Sequence, residues 1–328
     1  MEKFSKKLEG AGYTWTNIPE DRCEEMICES VEECITDYGN SVLYSSSRNE
    51  YVITRLKRML RRTIWALTKQ LDKGDFKPKG YEVTFGGVRE LETSHIQLDD
   101  MGKMVLRGKI DRIDTCEDDE HVYVKVIDYK TGNTTFDLGE LCYGLQMQLV
   151  VYMNAAIEMS KQDSNGKQVI PAGLFYYRVK DPIIKRTKEE DIEEAFLKEL
   201  CPDGMVLDMP EVVEHLDKEF EKSSQVIPVS KNKGGELSKT SKVLPKEDFD
   251  IISEFANKQV RKVGKQILEG KVDASPFAMG NNNGCKYCPY HAICGFDEKI
   301  PGYEYRELEV LNAEKAMEVM REEVKAWD

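Results

Sequence analysis

The chain has 328 residues, 40% hydrophobic and 33% charged, with a formal net charge of -13. This is globular composition, long enough for one large or two modest cores, and its acidity excludes a surface that neutralises phosphates all round, so any nucleic-acid contact has to be local. No apolar run approaches the ~18 residues of a membrane span, and Met1 to Gly10 lacks the apolar segment of a signal peptide, so a cytoplasmic setting without a membrane partner is expected.

Within residues 1–45, Glu24, Glu25, Glu29, Glu32 and Glu33 alternate with Cys28, Val31 and Ile35, which reads as an acidic amphipathic helix. Asn49 to Leu71 is the strongest helix, with Ile53, Leu56, Leu60, Ile64, Leu67 and Leu71 at core spacing and an end at Lys73-Gly74. Beside that stripe lie Arg55, Lys57, Arg58, Arg61 and Arg62. Such a face can follow a phosphate backbone or be covered by an acidic neighbour, and both readings stand.

From Tyr81 the texture becomes β-rich: Tyr81 to Val88, His95 to Leu98, Lys103 to Asp114 and His121 to Lys130, parted by Gly and Asp turns, predict an antiparallel meander. A helix from Leu138 to Met159 and a strand from Val169 to Val179 follow. Helices are then expected over Thr187 to Leu200 and Glu211 to Lys222. The Ser- and Lys-rich stretch 223–246 has little core-forming capacity and reads as a hairpin-like or mobile excursion. Phe249 to Glu269 has a stripe of Ile252, Phe255, Ala256, Val260, Val263 and Ile267, and a last helix runs from Leu311 to Trp327.

This order predicts an α/β core, a mixed central sheet flanked by helices with a helical C-terminal extension. The regions expected are N-terminal helices at 1–74, the core at 75–185, a helical insertion at 186–270, and the cysteine cluster with the last helix at 271–328.

Successive strand side chains alternate faces, so Asp128 and Lys130 leave one strand together, on the parity of Val122, Val124 and Val126. Gln148 and Tyr152, four apart on a helix, share a side. Carboxylates such as Asp111 and Asp128 hold divalent cations of the Mg2+ class, and a lysine beside them can position or deprotonate a water. That set suits phosphodiester cleavage.

Gly108-Lys109-Ile110-Asp111, Asp128-Tyr129-Lys130 and Gln148-x-x-x-Tyr152, in that order, resemble the RecB-type PD-(D/E)XK nucleases, and among them the AddB-type C-terminal nuclease domain. The likeness extends to Tyr81-Glu82-Val83, Cys142-Tyr143-Gly144 and the terminal cysteines, covering most of residues 75–300. It implies a restriction-endonuclease-like fold in which Asp111, Asp128 and the Tyr129 carbonyl bind Mg2+ or Mn2+. By it Lys130 serves the attacking water, and Gln148 and Tyr152 orient the lysine or the DNA. Arg55, Arg58, Arg61 and Arg62 are the candidate DNA contacts, and Glu82 is a structural residue or a second-metal ligand. The resemblance further implies a helicase partner of the AddA type, the processing of double-strand DNA ends for recombinational repair, and an exonuclease.

Cys285-x-x-Cys288 followed by Cys294 is spaced for three thiolates on one metal centre. The resemblance implies a 4Fe-4S cluster with a fourth cysteine far upstream, while His291 locally completes a Cys3His zinc set. Relatives of this type place a metal-binding His upstream of the basic helix, whereas His95, His121, His215 and His291 all lie beyond it. The expectation is therefore that Met1 begins inside a longer subunit and that this piece is weak or inactive on its own. Two rivals differ in kind. A stand-alone nuclease of the CRISPR adaptation type is disfavoured by the insertion at 187–269, and a non-catalytic DNA- or partner-binding scaffold by the intact Asp111, Asp128 and Lys130.

Overall fold

A computed structural model describes residues 1–39, 43–86, 91, 95–98, 102–184, 192–218 and 220–326. Three helices come first: α1 (Glu2–Gly10), α2 (Glu20–Gly39) and α3 (Ser47–Asp72). Ser46 caps α3 by accepting from the Asn49 N–H, which satisfies one of the donors a helix start leaves open.

A six-stranded mixed sheet follows, built from β1 (Lys77–Phe85), β4 (Gly108–Glu117), β5 (His121–Lys130), β6 (Gln168–Arg178), β7 (Asp203–Leu207) and β8 (Val243–Leu244) in that spatial order. β2 (His95–Gln97) and β3 (Lys103–Val105) form a separate hairpin between β1 and β4. β5 lies between antiparallel β4 and parallel β6, and everything from Val122 to Asp128 is buried, as a strand covered on both faces requires.

The β5–β6 crossover runs through α4 (Leu138–Cys142) and α5 (Gln148–Asp163). Leu149, Val150, Met153, Ala155 and Ala156 of α5 are buried against the sheet. The remaining elements are α6 (Ile192–Glu199), α7 (Pro210–Leu216), α8 (Lys246–Leu268), a small sheet of β9 (Phe277–Met279), β10 (Asn282–Asn283) and β11 (Arg306–Glu307), α9 (His291–Cys294) and α10 (Ala313–Ala326).

Several elements differ from expectation for identifiable reasons. The meander is interrupted: Leu106 and Arg107 break the expected 103–114 strand, and β1 pairs directly with β4. The helix expected over 138–159 is two, because Gly144 takes a left-handed φ of +75° between α4 and α5. Leu56 of α3 and Val263 and Ile267 of α8 are exposed despite their helical spacing. α7 stops at Leu216, well short of Lys222. The 223–246 segment buries Val226, Ile227 and Val229, with the Ser224 hydroxyl bonded to Asp217 and accepting from the Val226 and Ile227 N–H groups. Gly87 and Val88, the Asp99 to Met101 turn, the helix start at Thr187 and Trp327 lie outside the described residues.

Candidate active site

The site forms where β4 and β5 reach one end of the sheet. Arg112 pairs with Ile127, so one step on, Asp111 faces Asp128 across the two strands. There the ladder is replaced by a side-chain bond, in which Asp111 Oδ2 accepts the Tyr129 N–H at 2.8 Å. Asp128 is 2% exposed.

From Asp128 a line of contacts runs outward. Lys130 Nζ is 2.6 Å from Asp128 Oδ2 and donates to Gln148 Oε1 at 2.9 Å, while Gln148 Nε2 donates to the Tyr152 hydroxyl at 2.9 Å. The lysine thus reaches the N-terminus of α5, whose i and i+4 side chains share one face. The Tyr152 ring meets Phe85 edge-on at 5.9 Å between centroids. Phe85 explains Gly108, because a Cβ there would fall 2.5 Å from the Phe85 ring.

Burial pushes the Asp111 carboxyl above the usual aspartate range, and the Asp128 and Glu82 charges add to this against the Tyr129 N–H and Lys130. Asp128 Oδ2 is buried and has the Lys130 ammonium 2.6 Å away as its ion-pair partner. Two neighbouring acids, one of them buried, beside a lysine fit a divalent cation that takes its remaining ligands from water and phosphate. Glu82, at a left-handed φ of +49°, pairs with Lys109 at 2.6 Å.

Residues 1–295 match the profile of the PD-(D/E)XK nuclease superfamily. The chain belongs to that superfamily. Its mixed sheet flanked by helices is the PD-(D/E)XK fold. Among curated relatives, proteins named as a subunit of an ATP-dependent helicase/deoxyribonuclease are 34% identical over 325 residues in Alkaliphilus oremlandii, 39% over 332 in Lachnoclostridium phytofermentans and 38% over 314 in Clostridium kluyveri. These alignments cover 98%, 98% and 94% of this chain but 28%, 28% and 27% of the relatives. The chain therefore spans a little over a quarter of their length.

Elsewhere in this PD-(D/E)XK chain, the basic helix is largely paired with acids. Arg58 contacts Asp181 at 2.5 Å with Arg62 4.0 Å from the same residue, Arg61 is bonded to Glu24, and Lys57 meets Glu32 at 2.6 Å. Arg62 also lies 3.9 Å from the Phe196 ring centre. Of the cysteines, Cys285 and Cys288 are half-buried and Cys294 is exposed at the end of α9. Among the described residues no three His, Cys, Asp or Glu side chains converge as a metal-binding group. No described helix is long and apolar enough to cross a membrane.

One charged group is not foreseen by sequence reasoning. Arg112 and Asp114 are buried beneath the site, bonded at 2.6 and 2.9 Å, with Lys125 3.0 Å from Asp114. Burial works to raise the Asp114 carboxyl, yet the two cations outweigh it and hold the group below the usual range. The available signal was parity, since Arg112 and Asp114 share a strand face and Lys125 pairs with Asp114 across β4 and β5.

Proposed function

We propose that this chain is a metal-dependent deoxyribonuclease domain that cuts one DNA strand as a helicase partner supplies it, in the processing of DNA ends for repair. The observation that carries the reading is the continuous line from Asp128 through Lys130 and Gln148 to Tyr152, with Asp111 facing it. The relatives' name, which joins a helicase to a deoxyribonuclease, supports a helicase partner of the AddA type. The sequence has no Gly-x-x-x-x-Gly-Lys-Ser/Thr phosphate loop, so the reading places ATP hydrolysis on other parts of the assembly.

Asp111, Asp128 and the Tyr129 carbonyl would hold Mg2+ or Mn2+, which supplies Lewis-acid stabilisation of the phosphoryl oxygens and lowers the pKa of a bound water. The chain's own groups do the rest. Lys130, fixed by Gln148, presents its ammonium where a water attacks phosphorus and offsets charge developing on the phosphoryl group. Tyr152 fixes the Gln148 amide by accepting from Nε2, so its oxygen is aimed at the lysine.

The reading extends to Cys285, Cys288 and Cys294 as thiolate ligands of a 4Fe-4S cluster, with zinc on these thiols and His291 as the alternative. It requires the turn to draw together on the metal. Iron and zinc analysis decides between them: visible absorbance with bound iron supports the cluster, and colourless protein with one zinc supports the other set.

The test of the nuclease reading is cutting of single-stranded DNA with Mg2+ or Mn2+. Asp128→Ala and Lys130→Ala are expected to lose about a hundredfold or more in kcat. Equal cutting by parent and variants would remove the assigned site.

A further inference from the structure

On the face of the sheet toward α3, two buried cations share one carboxylate. Arg112 and Asp114 on β4, Lys125 on β5 and Tyr177 on β6 lie on that face by strand parity and register, and all four are buried. Asp114 is the carboxylate that both cations meet among the described residues. Their other contacts carry no counter-charge: Arg112 donates to the Tyr129 hydroxyl at 3.4 Å and lies 5.1 Å from the Trp15 ring centre, and Lys125 lies 5.0 Å from that of Phe76. The group thus holds one positive charge more than it cancels. Burying such a charge is costly. Burial pulls the Lys125 ammonium below its ordinary value, against the opposing charge of Asp114.

Beside the cations lies a cavity with about 20 Å³ of room for the centre of a water-sized sphere, enough for one small guest. Arg112, Lys125 and Tyr177 line it together with Gln70 and apolar side chains such as Leu67 and Phe175, and no carboxylate is in its wall. The Tyr177 hydroxyl is buried and has no hydrogen-bond partner among the described residues. Gln70 does not compete for a guest with its amide donors, since Nε2 donates to the Leu200 and Gln225 carbonyls. An ammonium has three donors, and Asp114 is the acceptor that Lys125 meets, at 3.0 Å. A water in the cavity would satisfy the hydroxyl and leave the charge, whereas an anion answers both.

We propose that this cavity binds one monovalent anion of chloride size, held by the Lys125 ammonium, the Arg112 guanidinium and the Tyr177 hydroxyl. The room suits a single-atom ion and is too small for phosphate or another oxyanion. With the anion on one side of the two cations and Asp114 on the other, the buried charges balance. The ion then braces the strand pair that carries the carboxylate site, because Arg112 adjoins Asp111 and donates to Tyr129, whose N–H holds the Asp111 carboxylate.

The experiment follows thermal unfolding of the full chain in sodium chloride and in sodium gluconate, an anion too large for the cavity, at matched ionic strength. The midpoint is expected to rise with chloride concentration beyond its value in gluconate, as mass action requires of a ligand that only the folded chain binds. Tyr177→Phe keeps the ring and removes the donor, and it is expected to need about tenfold more chloride for the same rise. Crystals soaked in bromide should show anomalous scattering in contact with Lys125 and Tyr177. Equal midpoints in the two salts overturn the proposal, as does a Tyr177→Phe chain that follows the parent's chloride curve. Bromide found only on surface lysines, an adventitious ion only, or a water in the cavity of the bromide-soaked crystal, overturns it as well. None of these readouts involves cutting, so they stand or fall apart from the nuclease reading.

Discussion

Asp111 binds its proton more tightly than a solvated aspartate does, because burial and then the neighbouring Asp128 and Glu82 charges disfavour ionisation. The sign of the stability effect follows. A carboxyl raised in the folded state contributes stability that is present below its ordinary value of 3.8 and is lost as pH rises through the folded value. At neutral pH the ionised Asp111 thus strains the fold, a cost that a bound cation would relieve. Asp111→Asn keeps an oxygen for the Tyr129 N–H and removes the charge. It is expected to raise the melting temperature at neutral pH, with the gain vanishing below pH 3.8, while cutting falls about a hundredfold or more. Mg2+ should raise the parent's midpoint and leave the variant's unchanged. A variant that melts no higher than the parent at neutral pH counts against the charge strain.

At the scale of elements, Gly108 joins β1, β4 and α5 through one ring. Phe85 at the end of β1 fills the space where a Gly108 side chain would sit, and its edge meets Tyr152 on α5. Gly108→Ala forces the ring to move or the strands to part, an overpacking cost of about 1–3 kcal/mol. The midpoint in urea is expected to fall accordingly, and kcat to fall with it because Tyr152 loses its support. A fully active Gly108→Ala chain would mean the ring can swing away freely. The same elements show what the sequence carried. Strand parity was enough to pair Asp128 with Lys130 and helix spacing to pair Gln148 with Tyr152, since both rules are local, while only the family resemblance brought the two pairs together. Those rules were not enough for the Arg112–Asp114–Lys125 group, which comes together only once β4 and β5 are paired. Nor could they show that the apolar stripe of α8 outruns its packing at Val263 and Ile267, because burial depends on which neighbour reaches that turn.

For the molecule as a whole, the C-terminal helix decides whether the chain closes as one core. α10 lies beyond residues 1–295, the part matched to the superfamily, yet it buries Ala316, Met317, Met320 and Val324, with Leu311 just before it. Its partners come from α4 and α8. The Leu311 carbonyl would be 2.8 Å from a Cβ on Gly139 of α4, Arg321 contacts Asp248, and Lys258 donates to the Val324 carbonyl at 2.8 Å. Four large apolar side chains, at roughly 1.5–3 kcal/mol each for full burial, amount to about 6 kcal/mol or more as an upper estimate. That compares with a total stability of about 5–15 kcal/mol for a folded domain. Ending the chain after Val310 is therefore expected to abolish cooperative unfolding in urea or to bring the midpoint down by more than half, with α8 losing amide protection first. If the shortened chain unfolds at the parent's urea concentration, α10 is an appendage, and the superfamily core is complete without it.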